Sequence, residues 1–210
     1  MAKLLYIESS PRKKRSASIA VSNAFLNEYR KINPKDEIII IDLWRKELPR
    51  FDGDVIDAKY AILHGEAHSD AQVKAWKKVE EMITEFKNAD KYVISLPMWN
   101  FSIPYKLKHY IDVLVQPGYT FSFSPEEGYK GLVTGKKMLL IYARGGAYES
   151  SSGMDSFDLQ TRYMETILQF IGFKNFSSIL IEPTLSGSQE EKEKILTKAK
   201  EEAVKVASQF

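Results

Sequence analysis

The sequence contains no cysteine. Disulfides, Cys-ligated zinc, iron–sulfur clusters and thiol nucleophiles are thereby excluded. Histidine is scarce, with only His64, His68 and His109. His64 and His68 stand four apart, but HGEAH lacks the HExxH order of a metalloprotease helix, so a solvated loop or helix end is expected there. No apolar run approaches the roughly 18 residues that a membrane span requires. The N-terminus starts on a strand-like segment without a signal-peptide layout, so a soluble cytoplasmic protein is expected. A net charge of +2 does not advertise nucleic acid or an anionic membrane as a partner.

What is present is ordinary globular material: 210 residues, 44% hydrophobic and 28% charged. That suits one α/β domain spanning residues 1–210. Strand-like runs cover Lys3–Ile7, Glu37–Ile41, Lys91–Leu96, Lys137–Tyr142 and Phe176–Ile181. The runs are apolar without alternation, which predicts burial on both sheet faces. Helical spacing covers Ser18–Ile32, Ala71–Asn88, a segment started by Pro104, Phe157–Ile171 closed by Gly172, and Glu190–Ser208. Five strands alternating with helices predict a parallel sheet covered on both faces, with the flavodoxin-like order 2-1-3-4-5. Two insertions interrupt the alternation. Residues 43–70 are broken by Pro49, Gly53 and Gly65, and residues 117–135 read as a hairpin with alternating Tyr119, Phe121 and Phe123.

Ligands of such sheets bind beyond the carboxyl ends of the strands, so the loops after strands 1, 3 and 4 carry the functional expectation. The first, Ser9–Ser18, opens a helix. Its hydroxyls and the free amides of a helix start suit a phosphate dianion, without the glycines of a triphosphate loop. The same letters also fit a basic surface turn in which Ser16 or Ser18 caps the helix. The second, Pro97–Pro104, brings large apolar side chains to the edge, as a flat heteroaromatic ring requires, although Trp and Phe there also fit a core-facing strand end. The third, Ala143–Tyr148, holds a Gly-Gly pair that permits close backbone approach or serves a plain turn.

Taken together, Ser16 and Ser18, the MWNF of Met98–Phe101, the GLVTGKK of Gly131–Lys137 and the ARGG of Ala143–Gly146 resemble the FMN-dependent NADH-azoreductase family, relatives of DT-diaphorase. The resemblance runs over essentially the whole chain. It implies that Ser10, Ser16, Ala17 and Ser18 hold the FMN phosphate, and that Met98, Trp99, Asn100 and Phe101 line the isoalloxazine. Ala143, Arg144, Gly145 and Gly146 would close over its pyrimidine end, with Tyr148 near N1 or O2. Two positions depart from the family pattern: Ala143 stands where Ser is usual, and Tyr148 where His also occurs. The resemblance further implies ping-pong hydride transfer from NADH or NADPH to quinones and azo compounds, with no protein nucleophile. No Rossmann fingerprint is present, so nicotinamide binding is expected to be transient and directed by the flavin. An electron-carrier flavodoxin and a flavin-free binding module on the same fold are the alternatives, the former disfavoured by the charge of +2. A homodimer with shared sites is also implied. Trp44, Phe51, Tyr60, Tyr119, Phe121 and Phe123 lie in the insertions as candidate interface aromatics, with Phe121 as a wall of the partner's substrate site. The rival reading folds these rings back into their own subunit.

Overall fold

The computed structural model describes residues 1–64 and 69–210. Its elements run β1 (Lys3–Glu8), α1 (Ala17–Ile32), β2 (Glu37–Asp42), α2 (Gly53–His64), α3 (Asp70–Lys87), β3 (Lys91–Pro97) and α4 (Tyr105–Leu114). The order continues with β4 (Phe121–Ser124), β5 (Gly128–Gly131), β6 (Lys137–Ala143), α5 (Leu159–Ile171), β7 (Phe176–Ile181) and α6 (Gln189–Ala207). The five parallel strands lie in the order β2-β1-β3-β6-β7, the expected flavodoxin-like arrangement with the small hairpin β4–β5 set apart.

Two apolar layers hold the helices to the sheet. On one face Leu4, Tyr6, Val93 and Ile141 meet Val21, Phe25 and Leu26 of α1 and Ala199 and Ala203 of α6. On the other, Leu5, Ile7, Ile94 and Leu140 meet α3, α4 and α5 through Trp76, Phe86, Leu107 and Met164. Each such side chain contributes about 1.5–3 kcal/mol by leaving water. The expectation of burial on both faces holds for β1, β3 and β6 but not for the isoleucine run of β2. Ile40 is 51% exposed, because β2 is an edge strand.

Local signals set the helix ends. Ser16, Ser69 and Ser188 cap α1, α3 and α6, the last two in reciprocal capping boxes with Gln72 and Glu191. Gly172 closes α5 at φ 117°, a left-handed conformation that a side chain rarely tolerates. A short 3₁₀ turn, Asp155–Phe157, precedes α5, so that helix begins two residues later than expected.

The first insertion differs from its reading. Gly53 does not break the segment; it opens α2, whose Val55, Ala58 and Ala61 are buried and whose first two join the core under α3. A glycine in a helix's first turn costs far less than one mid-helix. His68 lies outside the described residues, so the pair it forms in sequence with His64, the last residue of α2, is not described. Among the described residues no group of three or more His, Asp or Glu is placed to hold a metal.

The hairpin β4–β5 is the expected one. Its base sits at the C-terminal end of α5, where an added Cβ on Gly131 would lie 2.3–2.4 Å from the backbone of Ile171 and Gly172. Gly131→Ala is therefore expected to destabilise the fold by about 1–3 kcal/mol or more, seen as a lower urea midpoint with little change in slope. An unchanged midpoint would show that the hairpin is not seated there.

Candidate functional site

In-register parallel pairing brings Glu8 opposite Ser95, Pro97 opposite Ala143, and Ala143 opposite Ile181. The loops leaving β1, β3, β6 and β7 therefore emerge side by side at one edge.

The first loop is pinned before it reaches α1. Both the N–H and the Oγ of Ser9 donate to the Ser95 carbonyl, at 3.1 and 2.8 Å. The Trp44 indole donates to the Ser9 carbonyl at 2.8 Å. Lys13 adopts φ 51°, unusual without glycine, and its ammonium bridges the carboxylates of Glu8 and Asp42. Together with Arg45, which pairs with Asp42 at 3.5 Å, that cation balances the two edge carboxylates, and the exposed basic residues of the run are Arg12, Lys14 and Arg15. Ser10, Ser16 and Ser18 are all buried, and the Ser16 and Ser18 hydroxyls lie 3.1 Å apart. Ser16 does cap the helix, but its bond from Ile19 N–H is long at 3.4 Å. Helix geometry leaves the amides of Ala17 and Ser18 outside the intrahelical ladder, at the positive end of the dipole.

The second loop is a strained turn. Trp99 and Ser102 exchange backbone hydrogen bonds of 2.9 Å across Asn100 and Phe101, whose φ values are 47° and 67°. Two consecutive positive φ values mark a type I′ turn, which Asn accepts readily and Phe does not. The strain sets Asn100 and Phe101 out from the edge, with Phe101 40% exposed. The inward-packing alternative applies only in part: Trp99 is half-buried beside Trp44 and Tyr105, at centroid distances of 5.8 and 6.2 Å. Phe101 leans toward the third loop, 5.2 Å from Phe157 and 6.4 Å from Tyr148. Met98 donates its N–H to the Ala143 carbonyl at 2.8 Å, joining the second and third loops. A cleft of about 720 Å³, lined by Phe51, Trp99, Asn100, Tyr105 and Tyr163, opens beside this turn.

The third loop corrects the role expected of Arg144. Its side chain is 2% exposed and turns inward, to Asp158 at 3.0 Å, Glu182 at 3.3 Å, Gln160 at 3.1 Å and the Thr161 hydroxyl. The guanidinium ties β6 to the start of α5 and the end of β7, and leaves only the backbone of Arg144 toward the edge. Gly145 and Gly146 are not in the left-handed region, so dihedral need does not explain them. A Cβ on Gly145 would instead meet Leu185 at 2.7 Å, and one on Gly146 would touch the Tyr148 ring at 3.5 Å. Tyr148 donates its N–H to Glu182, and its ring faces the Arg144 guanidinium at 5.8 Å.

Sequence reasoning missed the fourth loop, after β7. Thr184 and Leu185 donate backbone N–H groups to the carbonyls of Arg144 and Gly145, at 2.9 and 3.1 Å, and Leu185 remains 74% exposed over Gly145. The rule that pointed to the other three loops applied equally here, because β7 ends at the same edge. Phe121 is not brought to this edge. It packs on Phe170 near the C-terminal end of α5, with ring centroids 4.7 Å apart, at the opposite end of the sheet. Of the other insertion aromatics, Trp44 and Tyr119 fold back, Tyr119 onto Trp76 and Glu80, while Phe51 packs on the core; Phe123 is exposed.

The flavodoxin-like fold family matches residues 2–207. An FMN-dependent NADH:quinone oxidoreductase of Desulfotalea psychrophila is 50% identical over 210 residues, covering 100% of this chain and 98% of the relative. The chain belongs to the FMN-dependent NADH:quinone oxidoreductase family. A solved azoreductase from Bacillus anthracis str. Sterne shares the fold of this family member with a TM-score of 0.92, 32% identity and full coverage of both chains. An FMN-dependent NADH-azoreductase from Bacillus anthracis str. Ames Ancestor, solved in complex with FMN, gives a TM-score of 0.90 at 29% identity, covering 100% of this chain and 99% of that one.

In this oxidoreductase the Arg144 cluster holds the third loop in place. Arg144→Met should leave the carboxylates of Asp158 and Glu182 without their buried cation and cost about 3–5 kcal/mol in urea unfolding. Arg144→Lys should cost less, because it keeps the charge and loses the fork. Equal stability of wild type and the Met variant would show that the cluster does not hold the loop.

Proposed function

We propose that the chain binds FMN at this edge and uses NADH to reduce quinones and aromatic azo compounds by two electrons. The observation that carries this reading is the buried hydroxyl set of Ser10, Ser16 and Ser18 at the start of α1, on the same edge as the outward-set turn of Asn100 and Phe101. The residues fit the cofactor. A phosphate dianion needs donors and positive potential, which the hydroxyls and the Ala17 and Ser18 amides supply. The nearby carboxylates of Glu8 and Asp42 are balanced by Lys13 and Arg45 together, which lowers their repulsion of it. Met98, Trp99, Asn100 and Phe101 would supply the apolar and amide surroundings of a flat ring, and the backbone of Ala143, Arg144, Gly145 and Gly146 would close over its polar rim, with Tyr148 beside them in place of a histidine. When bound, FMN supplies the two-electron relay that this cysteine-free chain lacks.

The chain's own work is to bind, orient and exclude water. The Trp44, Trp99 and Tyr105 cluster walls one side, and Phe101, Phe157 and Tyr148 the other. Between these walls donor and acceptor would enter in turn, the ping-pong order of this reading. No helix among the described residues is long and apolar enough to cross a membrane, and the substrates of this reading are small aromatic molecules.

The reading extends to a homodimer. The β4–β5 hairpin exposes Phe123 and Tyr129, at 61% and 67%, far from its own chain's site. Phe121 and its neighbours therefore wall a site only when a second copy supplies them. Light scattering on a sizing column should give twice the chain mass. Phe121→Ala should raise KM for quinone more than it lowers flavin content; a fully active monomer would remove this part of the reading.

The purified protein should show flavin absorbance released on denaturation, with NADH oxidation that depends on added quinone. Colourless protein that takes up no added FMN would refute the reading. Replacing Ser16 and Ser18 together by Ala should weaken FMN binding by more than about tenfold, because hydrogen bonds to a charged phosphate are lost. Wild type that binds riboflavin as tightly as FMN would overturn the phosphate assignment.

A further inference from the structure

FMN held through buried hydroxyls leaves the basic run of the first loop without a task. Arg12, Lys14 and Arg15 are exposed, and among the described residues their side chains meet no carboxylate and make no hydrogen bond. The cations beside them are spent, Lys13 on Glu8 and Asp42 and Arg45 on Asp42. Three unpaired cations on four consecutive residues exceed the net charge of the whole chain, +2. The backbone concentrates this charge beside the hydroxyls. Lys13–Arg15 form a 3₁₀ turn, in which Arg15 N–H donates to the Arg12 carbonyl at 3.0 Å and Ser16 N–H to the Lys13 carbonyl at 2.9 Å. The turn ends on Ser16 itself, so Arg15 is its chain neighbour at a Cα spacing of about 3.8 Å. Ser10, Ser16 and Ser18 are buried, whereas the three cations stand in water.

Solvated cations hold a bound anion weakly, because water screens the pair. They act at a distance instead, raising the local concentration of an anion and the rate at which it arrives. A charge at the rim of a site changes the association rate and its salt dependence, whereas a buried hydrogen-bonding group changes the dissociation rate. The two sets of residues on this loop therefore govern different rates. We propose that Arg12, Lys14 and Arg15 form a steering patch that draws a phosphate dianion, here the phosphate of FMN, to the start of α1, where the buried Ser16 and Ser18 hold it. The proposal rests on the FMN reading above.

FMN and riboflavin share a ring system and differ by the phosphate, so comparing their capture isolates the charge. The full chain, stripped of flavin, is mixed with each in a stopped-flow instrument and followed by flavin fluorescence. At about 0.01 M salt, where the Debye length is about 30 Å, changing Arg12, Lys14 and Arg15 together to Gln should slow FMN capture about tenfold. The FMN dissociation rate should stay within about twofold of wild type, and riboflavin capture should not change. At about 1 M salt, where the Debye length is about 3 Å, wild type should itself slow to the rate of the variant. That salt series on wild type also serves as the test if the triple variant does not fold. The control changes Lys35, Lys174 and Lys205 together to Gln. These exposed residues precede β2 and β7 and close α6, away from the functional edge, and their loss removes the same charge. FMN capture by the control should match wild type. A wild-type capture rate in the Arg12, Lys14 and Arg15 variant at low salt would overturn the proposal, as would an equal loss in the control. A loss confined to the dissociation rate would overturn it too, by making the cations direct ligands. Wild type that captures FMN and riboflavin equally fast yet holds FMN more tightly would overturn the steering alone. Equal rates and equal affinities would instead refute the phosphate reading on which the proposal stands.

Discussion

Everything at the functional edge depends on the parallel ladder that joins β1, β3, β6 and β7 in register. Because those strands all run one way, each chain exit lies at the same end, and residues far apart in sequence become neighbours. The ladder continues past the strands themselves. Ser9 bonds back to Ser95, Met98 to Ala143, and Thr184 and Leu185 to Arg144 and Gly145. The four loops are thus extensions of the sheet and inherit its rigidity. A site built this way needs little reorganisation when a ligand arrives, which is where preorganised sites gain most.

Charge is handled by pairing at this edge. Lys13 is held between two carboxylates and Arg144 between two others, each cation drawing together elements that would otherwise diverge. Buried pairs contribute little net stability against apolar packing, yet losing one partner is expensive. Their value here is geometric. Lys13 accepts a left-handed backbone, and the Arg144 fork sets the distance between β6, α5 and β7. At the first loop Arg45 completes the balance of Glu8 and Asp42, and the potential left there is the positive end of α1, backed by the exposed Arg12, Lys14 and Arg15.

Strain concentrates in the same place. Asn100 and Phe101 form a tight turn of positive φ between two backbone hydrogen bonds, where an uninterrupted core strand would have been cheaper. The turn's product is an exposed phenylalanine and asparagine between two aromatic groups, one formed by Trp44, Trp99 and Tyr105, the other by Tyr148 and Phe157. Local cost is tolerated because the neighbouring ladder fixes both ends of the turn.

Much of this was legible in the letters. The apolar runs, the capping serines, Gly172 and the five-strand order follow from periodicity and turn chemistry, which act over a few residues. The three loop motifs and their resemblance to azoreductases likewise pointed to one edge, where the parallel ladder brings the three loops side by side. What reading along the chain did not resolve depended on the third dimension. Gly53 looked like a breaker until α3 offered its helix a buried face, and Ile40 looked like core until β2 proved to be an edge strand. Nothing along the chain near Arg144 showed that its side chain is held by carboxylates 14 and 38 residues downstream, which leaves only its backbone toward the edge. The far-end position of Phe121 was likewise invisible, whereas the fourth loop was within reach of the same strand-end rule and was missed. By itself the sequence determined the five core strands, most of the helices and the side-chain types each loop offers, because those depend on neighbours in the chain. Only the tertiary structure decided which side chains remain free for a ligand, because that depends on partners brought close by folding.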